Sequence, residues 1–155
     1  MLTADIRFCE RKDVDQVLAV DKTSPNPWPE NVIVRDLVAG DTRISYIGAF
    51  APVNVDMLLG YAALGEENDN GLLMNLVVLP RYRRRGIGVQ LTVASAELAS
   101  SLGFLKLVLR VRLTNYAALA LYRGLGFRCD ATREGFYSDG SVAGYMSVKL
   151  PLDLK

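Results

Sequence analysis

Two spacings of apolar residues divide this chain into elements. Alternate positions mark strands, and steps of three and four mark helices. Ile6-Arg7-Phe8-Cys9 reads as a short first strand. Val14, Val17, Leu18 and Asp21 recur at helical spacing, which predicts a helix over 11–21 with Asp13 near its start. Prolines at 25, 27 and 29 stop it. A second short helix is expected from about Pro29, a residue suited to a first helical turn, to Val38 ahead of Gly40. Residues 44–50 and 57–64 read as two antiparallel strands, and 65–71, rich in Glu, Asn and Asp, as a polar turn. Leu72 to Leu79 is an almost unbroken apolar run, the pattern of a strand covered on both faces. Ile87, Leu91, Ala94, Leu98 and Leu102 predict a helix that packs one stripe on the sheet, with Gly103 as its cap. Leu105, Leu107, Leu109 and Val111 alternate with Lys106, Val108, Arg110 and Arg112, so a strand follows. Thr114 or Asn115 then caps a helix carrying Leu119, Tyr122 and Leu125, which Gly126 ends. Phe127 to Glu134 and Ala143 to Leu150 are the last two strands, joined by 135–140. The sum is a single α/β domain, a mixed sheet of about seven strands flanked by about four helices.

The junction between the central strand and the long helix carries the chemistry. Pro80 cannot donate to a ladder and ends the strand. Arg81, Arg83, Arg84 and Arg85 follow, then Gly86 and Gly88, then the helix. The first N–H groups of a helix lack internal partners and carry the positive end of its dipole, so they attract phosphate. Glycine removes the Cβ that would hold an anion away, and arginine adds charge-assisted forks for phosphate oxygens. A Walker A loop would need Gly-Lys-Ser/Thr, but Val89-Gln90 follows Gly88. A dinucleotide fingerprint would need a third glycine where Leu91 stands. A polyphosphate ligand of another kind is implied.

Composition narrows the classes. The chain has 155 residues, half of them hydrophobic and 23% charged, the balance of one soluble domain. Net charge is +1, so the arginine cluster is local, and no nucleic-acid partner is expected. There is no histidine, which excludes a His base, a Ser–His nucleophile pair and His-bound metal. Cys9 and Cys129 lack metal-like spacing and read as two free thiols in a reducing compartment, with no metal site. The first residues have no signal-peptide character and no apolar run approaches a membrane span. A cytoplasmic monomer or homodimer is expected.

Arg83-x-x-Gly86-x-Gly88 after Val77-Val78-x-Pro80 resembles the acyl-CoA loop of the GNAT superfamily of N-acetyltransferases. The order of elements is similar to the GNAT fold over nearly the whole chain. Asn26-Pro27-Trp28-Pro29, Asn75-Leu76-Val77-Val78 and Asn115-x₆-Tyr122-x-x-Leu125-Gly126-Phe127 resemble the ribosomal-protein-alanine N-acetyltransferase branch, which modifies protein N-termini. The resemblance implies a GNAT-like, mostly antiparallel sheet splayed at its centre, with acetyl-CoA as co-substrate. It implies that backbone groups of Leu76, Val77 and Val78 pair with the pantetheine arm and acetyl carbonyl. Arg83, Arg84, Arg85, Gly86, Ile87, Gly88 and Val89 would cradle the pyrophosphate, and Asn115 would hydrogen-bond the cofactor. Trp28 and Tyr137 would line an acceptor cleft from opposite sides.

Tyr122 lies two helical turns after Asn115, within roughly twenty degrees of the same direction. In the family a tyrosine here protonates the departing thiolate, and a reference pKa of ~10 beside a thiol at ~8.5 suits that transfer. The alternative is a core tyrosine packed on the sheet. No cysteine has a histidine partner, so direct attack by the amine in a ternary complex is implied.

Arg110 departs from the branch, which carries a glutamate base on the matching strand. Arginine stays protonated and cannot take that role. Arg110 either points into the acceptor cleft, favouring an acidic acceptor, or pairs with Glu66 or Glu67. Glu66, Glu67, Glu134, or Tyr137 through water are the candidate replacements for the base. The acceptor is expected to be a protein or peptide N-terminal α-amine. A small-molecule amine, or a catalytically silent acyl-CoA-binding protein, is the alternative.

Overall fold

Alternating side chains build one seven-stranded sheet in the computed structural model of the chain, which describes residues 1–40 and 43–154. Four strands, β1 (Asp5–Phe8), β2 (Ser45–Phe50), β3 (Leu58–Glu67) and β4 (Asn70–Val78), pair antiparallel in chain order. β5 (Lys106–Arg112) runs parallel to β4, and β6 (Arg128–Arg133) and β7 (Ala143–Lys149) complete the order β1-β2-β3-β4-β5-β7-β6. The mixed, mostly antiparallel sheet expected from the sequence is thus the one observed.

Helices cover both faces. On one side lie α1 (Val14–Asp21) and α2 (Glu30–Val34), the latter continued by a π turn over Arg35–Ala39. On the other lie α3 (Ile87–Ser101) and α4 (Tyr116–Gly124). The apolar stripe of α3 places Ile87 and Leu91 against Ile47, Leu59, Leu73, Leu107 and Leu109, with Leu119 of α4 in the same core. Val17, Val20 and Ile33 fill a second core with Tyr46, Phe50, Tyr61 and Val77. Each fully buried aliphatic side chain in these layers contributes about 2 kcal/mol of transfer free energy.

The polar turn expected over 65–71 is shorter than its composition suggests. Gly65, Glu66 and Glu67 pair with Leu72, Gly71 and Asn70, leaving a two-residue connection. Asn68 and Asp69 both adopt positive φ, 51° and 65°, the backbone of a type I′ hairpin whose twist matches the strands. The longer β3 carries Glu67 out to β5.

A bulge opens the sheet. Ala63 pairs with Asn75 but Leu64 pairs with Leu73, so Met74 is an extra residue in β4. β4 pairs with β5 only from Gly71 to Leu73, against Leu107 to Leu109. Past the bulge the two strands part, producing the central splay.

Candidate active site

The edge left open by the splay offers hydrogen bonds. Leu79 donates its amide to the Leu59 carbonyl at 2.9 Å, and strand alternation then turns Leu76 and Val78 toward the opening. The Val77 amide, expected in the same row, faces β3, and its side chain is buried in the α1-side core. The Leu76 N–H donates to the Asn75 side-chain oxygen at 3.1 Å. Asn75 is itself fixed from beneath, where its Nδ2 donates to Asp21 Oδ1 at 3.1 Å and to the Tyr61 hydroxyl at 2.8 Å. Asp21 is 2% exposed and also accepts from the Tyr61 hydroxyl at 2.6 Å and the Trp28 amide at 2.7 Å. Burial and the bond to Asp21 raise the Tyr61 pKa, keeping its proton in the network. Sequence reasoning missed this support; Asp21 on an otherwise apolar helix stripe was its one visible signal.

The loop after β4 is built as its composition requires. Pro80–Tyr82 form one 3₁₀ turn, Arg84 takes φ 64°, and Gly86 takes φ 84° as it caps α3. Arg81, Arg83, Arg84 and Arg85 are exposed, and none has a carboxylate within ion-pair distance among the described residues. Guanidinium groups without carboxylate partners, close in sequence to the free N–H groups of a helix start, give this corner a positive charge suited to an anion. Arg83 is turned back, its Nε donating to the Val78 carbonyl at 3.1 Å. Gly88 has a second reason to lack a Cβ, which would come within 2.9 Å of Leu121 Cδ1.

The loop is also strapped from outside. Leu2 donates to the Arg85 carbonyl at 2.9 Å, and Gln90 Nε2 donates to the carbonyls of Leu2 and Gly86 at 2.7 and 3.0 Å. The Ala4 amide donates to Gln90 Oε1 at 2.8 Å, so one side chain pins the N-terminal stretch onto the first turn of α3.

Asn115 starts α4, and its Oδ1 accepts the Ala118 amide at 3.2 Å. That oxygen serves the helix, which leaves only the amide nitrogen of the side chain to a ligand. Tyr122 is 7% exposed, with its ring 5.5 Å from that of Phe127. Its hydroxyl forms no hydrogen bond among the described residues. Burial, with Tyr137 nearby as a smaller cause, raises its pKa, so the hydroxyl holds its proton.

The other side of the opening is an arginine–aromatic cluster. Arg110 Nη2 donates to both oxygens of Glu67, so of the two alternatives the sequence left open, the pairing with a carboxylate is the one formed. The Arg110 guanidinium also lies 5.4 Å from the Phe136 ring centre and 5.5 Å from that of Tyr145. Arg112 stacks on Tyr137 at 3.9 Å and faces Asp139 at 3.4 Å. The nearby guanidinium groups of Arg133 and Arg110 lower the Tyr145 pKa. Beside Arg110 lies a cavity of about 160 Å³ lined by Glu67, Asn70, Asp130 and Tyr145. Trp28 sits elsewhere, half-buried and edge-on to Tyr46 at 6.5 Å, as a plug on the second core. Trp28 and Tyr137 are not in ring contact. Of the other base candidates, Glu66 pairs with Arg43 at 3.2 Å and Glu134 is exposed.

An opened strand edge running into an arginine-rich helix start defines a transferase built around a phosphorylated acyl carrier. The Acetyltransferase (GNAT) family profile matches residues 12–127, and the chain belongs to this family. The N-alpha-acetyltransferase of Saccharolobus solfataricus is 26% identical over 154 residues, covering 92% of this chain and 90% of that one. The crystal structure of the ribosomal-protein-S18-alanine N-acetyltransferase from Escherichia coli matches with a TM-score of 0.80 and 26% identity, over 94% of this chain and 92% of that chain. Arabidopsis thaliana NAA60 in complex with acetyl-CoA shares the fold, with a TM-score of 0.83 at 19% identity over 96% and 99% of the two chains. The chemistry is acetyl-CoA-dependent N-acetylation of an amine. No helix among the described residues is long and apolar enough to cross a membrane.

Proposed function

We propose that the chain acetylates the α-amine of a protein or peptide N-terminus in the cytoplasm, by direct attack in a ternary complex. The observation that carries the cofactor side is the row from the Leu76 and Val78 backbone to the unpaired arginines around Gly86. Acetyl-CoA, when bound, supplies the activated thioester. The Leu76 carbonyl holds its arm and the Val78 N–H polarises the thioester carbonyl as an oxyanion hole does, the Leu76 N–H being engaged by Asn75. Arg84, Arg85 and the N–H groups of Ile87, Gly88 and Val89 hold its pyrophosphate, with Asn115 contributing its amide nitrogen. The Tyr122 hydroxyl, which burial keeps protonated and makes a weaker acid than a free tyrosine, is the proton donor for the departing sulfur.

The acceptor enters past Arg110 and Tyr137, with Trp28 acting through its packing on the second core. With Arg110 locked on Glu67, no free carboxylate stands on β5 to take the ammonium proton. An α-amine tolerates this, being roughly a tenth neutral at pH 7, whereas lysine is neutral about once in two thousand molecules. The similarity to protein and peptide N-terminal enzymes agrees with that reading. The test is a peptide that carries both a free N-terminus and an internal lysine, treated with protein and acetyl-CoA and mapped by mass spectrometry. Acetyl on the N-terminal residue is expected. Acetyl on lysine alone, or on neither site, refutes the proposal.

A further inference from the structure

Among the described residues, two buried side-chain nitrogen or oxygen atoms lack a hydrogen-bond partner: Nε of Arg110 and Nε of Arg112. Buried polar groups are satisfied as a rule, and each exception calls for a physical reason. Both lie on β5, two residues apart, where the strand has left β4. Leu109 and Val111 turn into the α3-side core, so the two arginines share the opposite face.

We propose that these two N–H groups are donors for the main-chain carbonyls of an acceptor polypeptide lying extended along β5, beneath the loop 135–140. The inference rests on the N-terminal acceptor reading above and gives it a binding site. Side chains two residues apart on a strand stand about 6.6–6.8 Å apart, and the carbonyls along one edge of an extended peptide recur at the same interval. A small-molecule amine has no such repeat. Pairing of β5 with β4 ends at Leu109, so Arg112 is the deeper of the two in the opening. Arg112 takes the carbonyl of the first acceptor residue, and Arg110 takes that of the third. The cavity of about 160 Å³ beside Arg110 then receives a side chain of the peptide.

The loop 135–140 explains why both groups are sealed here. Phe136 packs against the guanidinium groups of Arg110 and Arg133, and Tyr137 packs against Arg112. Asp139 faces Arg112 Nε at 3.4 Å without hydrogen-bond geometry. Gly135 and Gly140 bound this stretch with φ of 73° and 86°, backbone that other residues rarely adopt. Peptide entry swings Phe136 and Tyr137 outward and replaces these contacts with carbonyl oxygens.

The experiment compares a tetrapeptide amide with two analogues in which a trans-alkene replaces the first or the third peptide bond. Ester analogues at the same bonds keep the carbonyl and control for the lost peptide N–H. With the wild-type protein, and with kcat/KM expressed per neutral amine because loss of the first carbonyl raises the α-amine pKa, each alkene lowers the rate by about tenfold to a hundredfold, as expected for a hydrogen bond to a charged donor, and the esters remain near the parent. In Arg112→Met, which carries no donor, the first-bond alkene costs less than threefold per neutral amine, because the interaction is already gone. Alkene analogues acetylated like their parent overturn the inference, as does an undiminished first-bond penalty in Arg112→Met. No turnover of the parent tetrapeptide, while other amines are acetylated, overturns the acceptor reading itself. The wild-type arm does not depend on the folding of any variant.

Discussion

Arg110 and Glu67, 43 positions apart, meet where β5 begins to diverge from β4, one guanidinium nitrogen contacting both carboxylate oxygens at 2.5 Å. The side chains are 28% and 33% exposed, so the pair is only partly screened by solvent. It engages one guanidinium nitrogen of Arg110, leaving Nε without a partner, and occupies a carboxylate that could have served as base. On the proposed mechanism an acceptor amine reacts as its own neutral form.

The pH profile follows from that pairing. For a peptide N-terminus, kcat/KM rises tenfold per pH unit below pH ~7.7 and levels off above ~8, at the α-amine's own pKa. Tyr122 adds no falling limb below pH ~10, because burial raises its pKa and keeps the donor protonated through that range. The measurement is the rate of CoA thiol release between pH 6 and pH 10 with unmodified peptide. A plateau reached well below pH 7 would reveal a protein base and contradict the account.

Tyr122→Phe separates chemistry from binding. General acid catalysis contributes roughly 10²–10⁴ in rate, so kcat falls by about that factor while acetyl-CoA binding stays within about threefold. The hydroxyl has no hydrogen bond to lose among the described residues, so stability changes by less than about 0.5 kcal/mol. Chemical denaturation and steady-state kinetics on the same preparation check both parts. A large stability loss with unchanged kcat would return Tyr122 to the role of a core tyrosine.

Asp21 is the test of the scaffold beneath the opened strand. Asp21→Ala removes the acceptor for Tyr61, Asn75 and the Trp28 amide at once. Leaving those donors unsatisfied in the interior costs about 3–5 kcal/mol, read from the denaturant midpoint. Asp21→Asn costs less, since the amide oxygen still accepts. Asp21→Ala weakens acetyl-CoA binding, because Asn75 loses the acceptor that holds it beside Leu76 at the opened edge; Asp21→Asn weakens it less.

Much of this was readable beforehand, for reasons particular to certain residues. The run Leu72–Leu79, the stop at Pro80 and the stripe from Ile87 to Leu102 specified strand, loop and helix through local chemistry alone. The 65–71 segment misled because polar composition marks a turn but not its length; positive φ at Asn68 and Asp69 lets two residues suffice. The Arg110–Glu67 contact was one of two open alternatives, since pairing at that separation depends on the hairpin's length. The bulge at Met74 has no sequence mark, being a mismatch between two strands. The strap through Gln90 and the orphaned nitrogens of Arg110 and Arg112 depend on tertiary placement, which residue spacing does not encode.

The proposed transfer requires the opened edge of β4 and the start of α3 to hold acetyl-CoA together. The direct measurement is calorimetric titration of acetyl-CoA into the wild-type protein and into Arg84→Ala/Arg85→Ala. One site per chain is expected, with binding that weakens with added salt and a loss of about tenfold or more in the double variant, as two charge-assisted contacts are removed. Absence of binding at millimolar acetyl-CoA, or equal affinity in both proteins, would contradict the proposed transfer.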